Sequence, residues 1–127
     1  MIHVRNFGLA IGLLAMSSPA FAGQSEGEIG YSKGALGYEA LVAGDNITAV
    51  KQLEAADRVH KDDPARLINL GQAYARTGRK GDAAQMFMAA MNSNRGFDLV
   101  LADGAVMDSR EAARLALANL NGRLASR

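Results

Sequence analysis

The chain has 127 residues, of which 14 are Lys or Arg and 13 are Asp or Glu, and it contains no Cys. The formal net charge of +1 provides no bulk attraction to nucleic acid or to an anionic membrane surface. Without Cys, the chain has neither a disulfide framework nor a thiol nucleophile.

Residues 1–22 have the composition of a secretory signal peptide. Arg5 precedes an apolar run from Phe7 to Met16, and the small residues of Ala20-Phe21-Ala22 resemble a cleavage motif. The apolar run is shorter than the roughly 20 residues that span a membrane, and no Cys follows the motif to carry a lipid. We therefore expect cleavage after Ala22, a periplasmic or secreted protein, and no stable membrane anchor. The remaining 105 of the 127 residues are enough for one domain.

The first part of the mature chain predicts a leader and a helical hairpin. Residues 23–31 are polar and rich in Gly, which is typical of a flexible leader. The first helix is predicted from about Ser32 to Gly44. The second is predicted from about Asn46 to Arg58, with Asp45 or Asn46 as its cap.

A second helical hairpin follows, and both of its helices are amphipathic. Asp63 is placed to cap a helix that begins at Pro64, in the first turn where proline is tolerated. Gly78 marks the turn between the two helices. The apolar stripes consist of Leu67, Leu70, Gly71 and Tyr74 in the first helix, and of Ala83, Phe87 and Ala90 in the second.

The pattern of the second hairpin repeats that of the first after 34 residues. A fixed period of this length indicates stacked helical repeats. Small residues such as Gly71 and Ala83 allow two helices to approach closely. The matched positions are Leu36, Gly37, Gly44, Ala49, Leu53 and Ala56 in the first copy, and Leu70, Gly71, Gly78, Ala83, Phe87 and Ala90 in the second.

The sequence after Asn94 predicts a short β-hairpin and a last helix. Apolar residues lie on both sides of Asp103-Gly104, which favours a hairpin within residues 97–107, with an irregular loop as the alternative. Residues 108–111 resemble a capping box, and Asn121-Gly122 is a potential early end of the helix. The apolar face of that helix consists of Ala113, Ala116, Leu117, Leu120 and Leu124.

The spacing Leu67-x2-Leu70-Gly71-x2-Tyr74 followed by Ala83-x3-Phe87 resembles the tetratricopeptide-repeat family. The resemblance implies an all-α superhelix of two repeats, residues 32–62 and 63–94, with residues 97–125 as a β-hairpin and capping helix. The chain is similar to small exported bacterial members of that family, which generally bind other proteins. Departures from the family pattern are Leu67 in place of Trp, Lys33 and Ala40 in the weaker first copy, and Lys61 and Arg95 in place of the closing Pro.

In the resembled fold, the first helices of successive repeats line a concave groove. This groove would hold Tyr38 and Leu41 on one side and Asn69, Gln72 and Arg76 on the other, as partner-binding residues for a short peptide or a helix. Of the Lys, Asn and Arg set with which some family members hold a peptide carboxylate, only the Asn is present. The alternative is that the leader or the capping helix covers the groove. Val42, Ile68 and Ala75 complete the predicted lining.

Residues suited to catalysis or metal binding are few. His60 is the single histidine after residue 22, and no Ser lies in a nucleophile motif. Asp57, His60, Asp62 and Asp63 resemble a metal-ligand set in composition. They lie where one helix ends and the next is capped, however, which favours a structural role. No cofactor and no metal are therefore predicted.

Together these features lead to the hypothesis of an exported, noncatalytic protein-binding adaptor that acts in bacterial envelope assembly or complex formation. Its partner would be a protein or peptide and not a nucleic acid. A structural, self-associating homo-oligomer would use the same surfaces and is the main alternative. A hydrolase or a metal-binding accessory protein is a weaker alternative.

Overall fold

The computed structural model describes residues 31, 34–56, 59–101 and 103–125. The predicted signal peptide, residues 1–22, lies outside these ranges, as does the leader except for Tyr31. None of the helices within the ranges is both long and apolar enough to span a membrane. The described chain is mostly helical, with one two-stranded antiparallel sheet. Its elements are α1 (Tyr38–Ala43), α2 (Asn46–Glu54), α3 (Pro64–Arg76), α4 (Lys80–Met91), β1 (Asp98–Val100), β2 (Val106–Asp108) and α5 (Ser109–Ala125).

Acidic caps determine where three of the helices begin. In each case the carboxylate of the residue before the helix accepts hydrogen bonds from backbone N–H groups of the first turn, at 2.9–3.3 Å. These N–H groups have no intrahelical acceptor, so the cap stabilises the helix start. The predicted proline in the first turn of α3 is present as well. The three caps are Asp45, Asp63 and Asp108.

The first helix is shorter than the sequence pattern predicted. A helix was expected from about Ser32 to Gly44, whereas α1 spans only Tyr38–Ala43. Gly34 and Gly37 have φ values of 79° and 62°, in the left-handed region that interrupts a right-handed helix. A turn through these two glycines therefore replaces the predicted beginning of the helix. Ser32 lies outside the described residues.

Two other helix ends differ from the expectation. α2 ends at Glu54 and not at Arg58, a residue outside the described ranges. α5 continues through Asn121-Gly122 to Ala125. A helical Gly costs about 1 kcal/mol relative to Ala, and the packing of α5 against α3 and α4 offsets this cost. The predicted apolar face is buried at Ala113, Ala116 and Leu120 and half-buried at Leu117, while the side chain of Leu124 is outside the described part.

The helices stack in a repeating order. α3 packs against α2 and α1, and α5 packs in the same way against α4 and α3. α5 therefore contacts both helices of the second hairpin, as α3 contacts both helices of the first. Four of the buried positions in each helix have the same spacing. They are Leu67, Leu70, Gly71 and Tyr74 in α3, and Ser109, Ala112, Ala113 and Ala116 in α5.

Both hairpins contain a close contact between a glycine and a large apolar side chain. A Cβ atom placed on Gly37 would lie 3.2 Å from Cδ1 of Leu53, and one placed on Gly71 would lie 2.5 Å from Cε1 of Phe87. The two contacts are related by the predicted period. The backbones differ, because Gly71 is helical while Gly37 precedes α1 in a left-handed conformation.

The predicted repeat positions form much of the core. Gly44 and Gly78 have φ values of 78° and 84° and end α1 and α3, as the pattern indicated. Ala56 is half-buried. The buried repeat positions are Leu36, Ala49, Leu53, Leu70, Tyr74, Ala83, Phe87 and Ala90.

The predicted β-hairpin is confirmed. β1 and β2 pair antiparallel, with Leu99 opposite Met107. Gly104 has a φ of 84° in the connecting loop, a conformation that glycine adopts at little cost. Leu99 and Leu101 are buried and anchor the hairpin to the helical core.

Candidate partner-binding face

The predicted groove between α1 and α3 is closed. Asn69 is fully buried, and its Nδ2 donates a hydrogen bond to the backbone oxygen of Leu36 at 2.9 Å. Leu41 and Gln72 are also buried. The expectation that these side chains lie open to a partner is therefore wrong. The turn at Gly34 and Gly37 brings the chain before α1 against α3, which fills the space.

Arg76 joins the end of α1 to α3. Its Nη1 donates to the backbone oxygen of Leu41 at 3.0 Å and to Oδ1 of Asn46 at 3.4 Å. Carbonyl groups in the last turn of a helix lack regular intrahelical donors, and a cation placed there is favourable. The guanidinium of this half-buried residue therefore has a structural role.

The surface that stays open lies at the corner between the first two helices. Val42 and Ile47 are 66% and 65% exposed, in the last turn of α1 and the first turn of α2. Both are sequence neighbours of residues that Arg76 contacts. Tyr38, half-buried, is the first residue of α1. We name the set Tyr38, Val42, Ile47 and Arg76 the α1–α2 corner.

Sequence reasoning included Val42 in the groove but missed Ile47. The buried stripe of α2 contains Ala49 and Leu53, which are four residues apart. Ile47 lies two residues before Ala49 and is therefore out of phase with that stripe. The exposure of Ile47 could have been predicted from this position outside the buried stripe.

A second polar cluster joins the ends of α2, α3 and α4. The hydroxyl of Tyr74 donates to Oε1 of Glu54 at 2.6 Å, and the Arg79 guanidinium lies 4.1 Å from the centre of the Tyr74 ring. Burial raises the pKa of the Tyr74 phenol, and the hydrogen bond to Glu54 raises it further. Arg79 also pairs with Asp82 at 2.8 Å. Because Tyr74 is a buried repeat residue, this cluster holds the hairpins together.

The groups that could suggest catalysis have local structural partners. Nδ1 of His60, an exposed side chain, accepts the backbone N–H of Asp62 at 3.1 Å. The hydroxyl of Ser93 donates to the backbone oxygen of Asp62 at 2.8 Å. The hydroxyl of buried Ser109 accepts the N–H of Phe97 at 3.2 Å. These contacts connect loops to helix ends.

Three of the four residues of the metal-ligand set considered from the sequence lie in the described part of the chain. His60, Asp62 and Asp63 lie in the linker and at the cap of α3, while Asp57 lies outside the described residues. In the part of the chain that the structure describes, no three His, Asp or Glu side chains are grouped so that they could hold a metal ion.

Comparison with protein-family models, curated proteins and solved structures gives no match to this chain. A function therefore has to be inferred from the residues and contacts of the chain itself.

Proposed function

We propose that this chain is an exported, noncatalytic adaptor that binds a protein or peptide through a tetratricopeptide-like stack of helices. The observation that carries the proposal is the repeated packing order, α3 on α2 and α1, then α5 on α4 and α3. Repeats stacked in this way bury a continuous core and leave extended surfaces for partners. The contacts Gly37–Leu53 and Gly71–Phe87 are related by the predicted period, which supports the repetition of one helical hairpin.

In this proposal α5 has the position of the first helix of a third repeat. Four of its buried residues, Ser109, Ala112, Ala113 and Ala116, follow their counterparts in α3 by 42 positions and not by 34. The β-hairpin accounts for the longer connection between α4 and α5. α5 covers the end of the second hairpin, as capping helices do in such arrays.

The α1–α2 corner is the surface proposed for the partner. Covering Val42 and Ile47 would gain about 25 cal/mol for each Å² of apolar area removed from water. Tyr38 and Arg76 add an aromatic ring and a planar cation, the residue types that contribute most at protein interfaces. The corner thus presents an apolar centre, Val42 and Ile47, next to residue types that are common at interfaces.

The noncatalytic part of the proposal is supported by the use of His60, Ser93 and Ser109 in backbone hydrogen bonds. Export is proposed from residues 1–22, whose sequence has the features of a signal peptide.

The proposal is tested by site-specific photo-crosslinking in producing cells. A photoreactive amino acid is placed at Val42 or, separately, at Ile47, and the matched control is Gln85 on the exposed side of α4. We expect the same protein to be captured from both corner positions and not from the control. Val42→Asp combined with Ile47→Asp should then greatly reduce the capture obtained from a probe at Tyr38.

Two results would contradict the proposal. The first is the absence of any light-dependent adduct at Val42 and Ile47 in a folded, exported protein. The second is an adduct that contains only a second copy of the chain, which would favour the self-associating alternative.

A further inference from the structure

The hydrogen bonds on either side of β1 define which of its backbone groups face outward. The N–H of Ser109 donates to the oxygen of Phe97 at 2.9 Å, and the N–H of Leu101 donates to the oxygen of Ala105 at 2.8 Å. Hydrogen-bonded and non-hydrogen-bonded pairs alternate along an antiparallel ladder. Residues 97, 99 and 101 therefore point their backbone groups toward the second strand.

Asp98 and Val100 consequently point their N–H and C=O groups away from β2. These N–H and C=O groups have no hydrogen-bond partner within the described part of the chain. An edge of this kind is a template for a further strand, which can pair with it through its own backbone.

The side chains of the hairpin's outer face have two kinds of chemistry. The register places Asp98 opposite Asp108 at one end and Val100 opposite Val106 at the other. Val106 is 65% exposed, and both carboxylates are exposed. Like charges directly opposite each other destabilise a hairpin. Asp108 offsets this cost by capping α5, whereas Asp98 has no hydrogen bond or ion pair with any described residue.

We propose that the edge of β1 binds an extended segment of a partner protein in which Lys or Arg stands two positions from a branched apolar residue. Side chains two positions apart lie on the same face of a strand. The basic side chain would then lie beside Asp98, and the apolar one beside Val100, with β2 on the far side of β1. The inference rests on the proposed function only for the class of ligand, a protein.

Charge complementarity favours this occupant over a second copy of the chain. A second β1 edge would bring its own Asp98 to the interface and would add a like charge. A basic side chain beside Asp98 reduces the repulsion between the two carboxylates and supplies a donor for Asp98.

The probe is the acetylated peptide TRTVTRT, which offers the required spacing in both strand directions. It is titrated into the mature chain labelled with ¹⁵N, and the backbone amide shifts are followed. We expect the largest shifts at Asp98 and Val100. Two further forms of the peptide carry N-methyl groups on alternate residues, one form on the odd positions and the other on the even positions. In one of the two forms the methyl groups replace the N–H groups that face the edge. That form should bind at least about fivefold more weakly, the equivalent of one lost hydrogen bond.

Two matched variants identify the edge. Val100→Pro and Val106→Pro each remove an outward N–H, a place where edge strands tolerate proline. Only Val100→Pro should weaken binding. If Val100→Pro does not fold, Asp98→Lys is titrated with the same peptide instead. This variant should also weaken binding, because it replaces the carboxylate that the basic residue of the peptide would contact.

Three outcomes overturn the inference. They are shifts that lie elsewhere, equal weakening by both proline variants, and shifts at β1 that depend on protein concentration without the peptide. The last would assign the edge to a second copy. These results are independent of crosslinking at Val42 and Ile47, so this inference and the proposed function can fail separately.

Discussion

Phe87 lies so close to Gly71 that a Cβ atom on residue 71 would be 2.5 Å from Cε1 of the ring. Carbon atoms in proteins do not pack at that distance. Phe87 is 1% exposed, so its ring has no solvent-filled space into which it could move. The absence of a side chain at residue 71 therefore determines how closely α3 and α4 cross.

Gly71→Ala should destabilise the protein by about 1–2 kcal/mol. Overpacking typically costs about 1–3 kcal/mol, from which the better helix propensity of Ala subtracts up to about 1 kcal/mol. Gly81→Ala in α4 is the matched control, because a Cβ atom there has no neighbour within 4 Å. That change should be neutral or stabilising in urea denaturation. Equal effects of the two substitutions would contradict the close contact.

Phe87→Ala should lower the free energy of unfolding by about 3–5 kcal/mol, as expected when a buried aromatic ring is removed. Met88→Ala provides the comparison, since the neighbouring side chain is 44% exposed and should cost much less. The measurement is thermal or urea unfolding of both variants. A loss below about 1 kcal/mol for Phe87→Ala would mean that the ring is not in the core.

Asn69→Ala should cost about 1–3 kcal/mol, because it removes the buried donor to the Leu36 carbonyl. If Asn69 belonged to an open groove, as the sequence pattern predicted, the change would stay within about 0.5 kcal/mol. Asn121→Ala in the exposed part of α5 is the control and should have little effect. Equilibrium denaturation distinguishes the two cases.

Tyr31 should make stability depend on alkaline pH. Its hydroxyl donates to Oδ2 of Asp63 at 2.9 Å, and burial together with the Asp63 charge raises the pKa of the phenol. The folded state then keeps a proton that the unfolded state loses above pH about 10. This stabilisation is complete below that pH and is lost as the pH rises further.

Urea denaturation between pH about 8 and about 11.5 tests this dependence. The difference in unfolding free energy between the natural chain and Tyr31→Phe should be constant up to pH about 10 and should then shrink. Curves that stay parallel over the whole range would show that Tyr31 does not contribute.

The mature protein should begin at Gly23, because Ala20-Phe21-Ala22 has the small residues of a signal-peptidase site. The intact mass of the protein purified from the producing cells gives a direct measurement. Retention of Met1 in exported material would contradict the prediction.

Features determined by neighbouring residues could be predicted from the sequence. The caps Asp63 and Asp108 and the loop glycine Gly104 each act within a few positions of themselves, so residue type and local order were sufficient. The buried repeat positions were predictable for a similar reason, because helical periodicity selects one face.

The beginning of α1 and the closing of the groove depend on contacts between distant segments. Gly37 and Gly71 occupy the same place in the repeat, yet only Gly71 is helical. The pattern does not distinguish them, because glycine accepts both conformations. Asn69 is buried because the turn before α1 brings the Leu36 carbonyl within 2.9 Å of its amide. That distance is a property of the folded chain and not of the spacing.

The six residues of α1 are too few to sustain a helix by its own hydrogen bonds. Asn69 and Arg76, both on α3, hold the carbonyls at residues 36 and 41. The side chains that order this part of the chain therefore lie 33 and 35 positions further along the sequence. We expect the backbone amides of α1 to exchange with solvent more readily than those of α3, because a short helix held by a few side-chain contacts lies at the low-stability end of a fold.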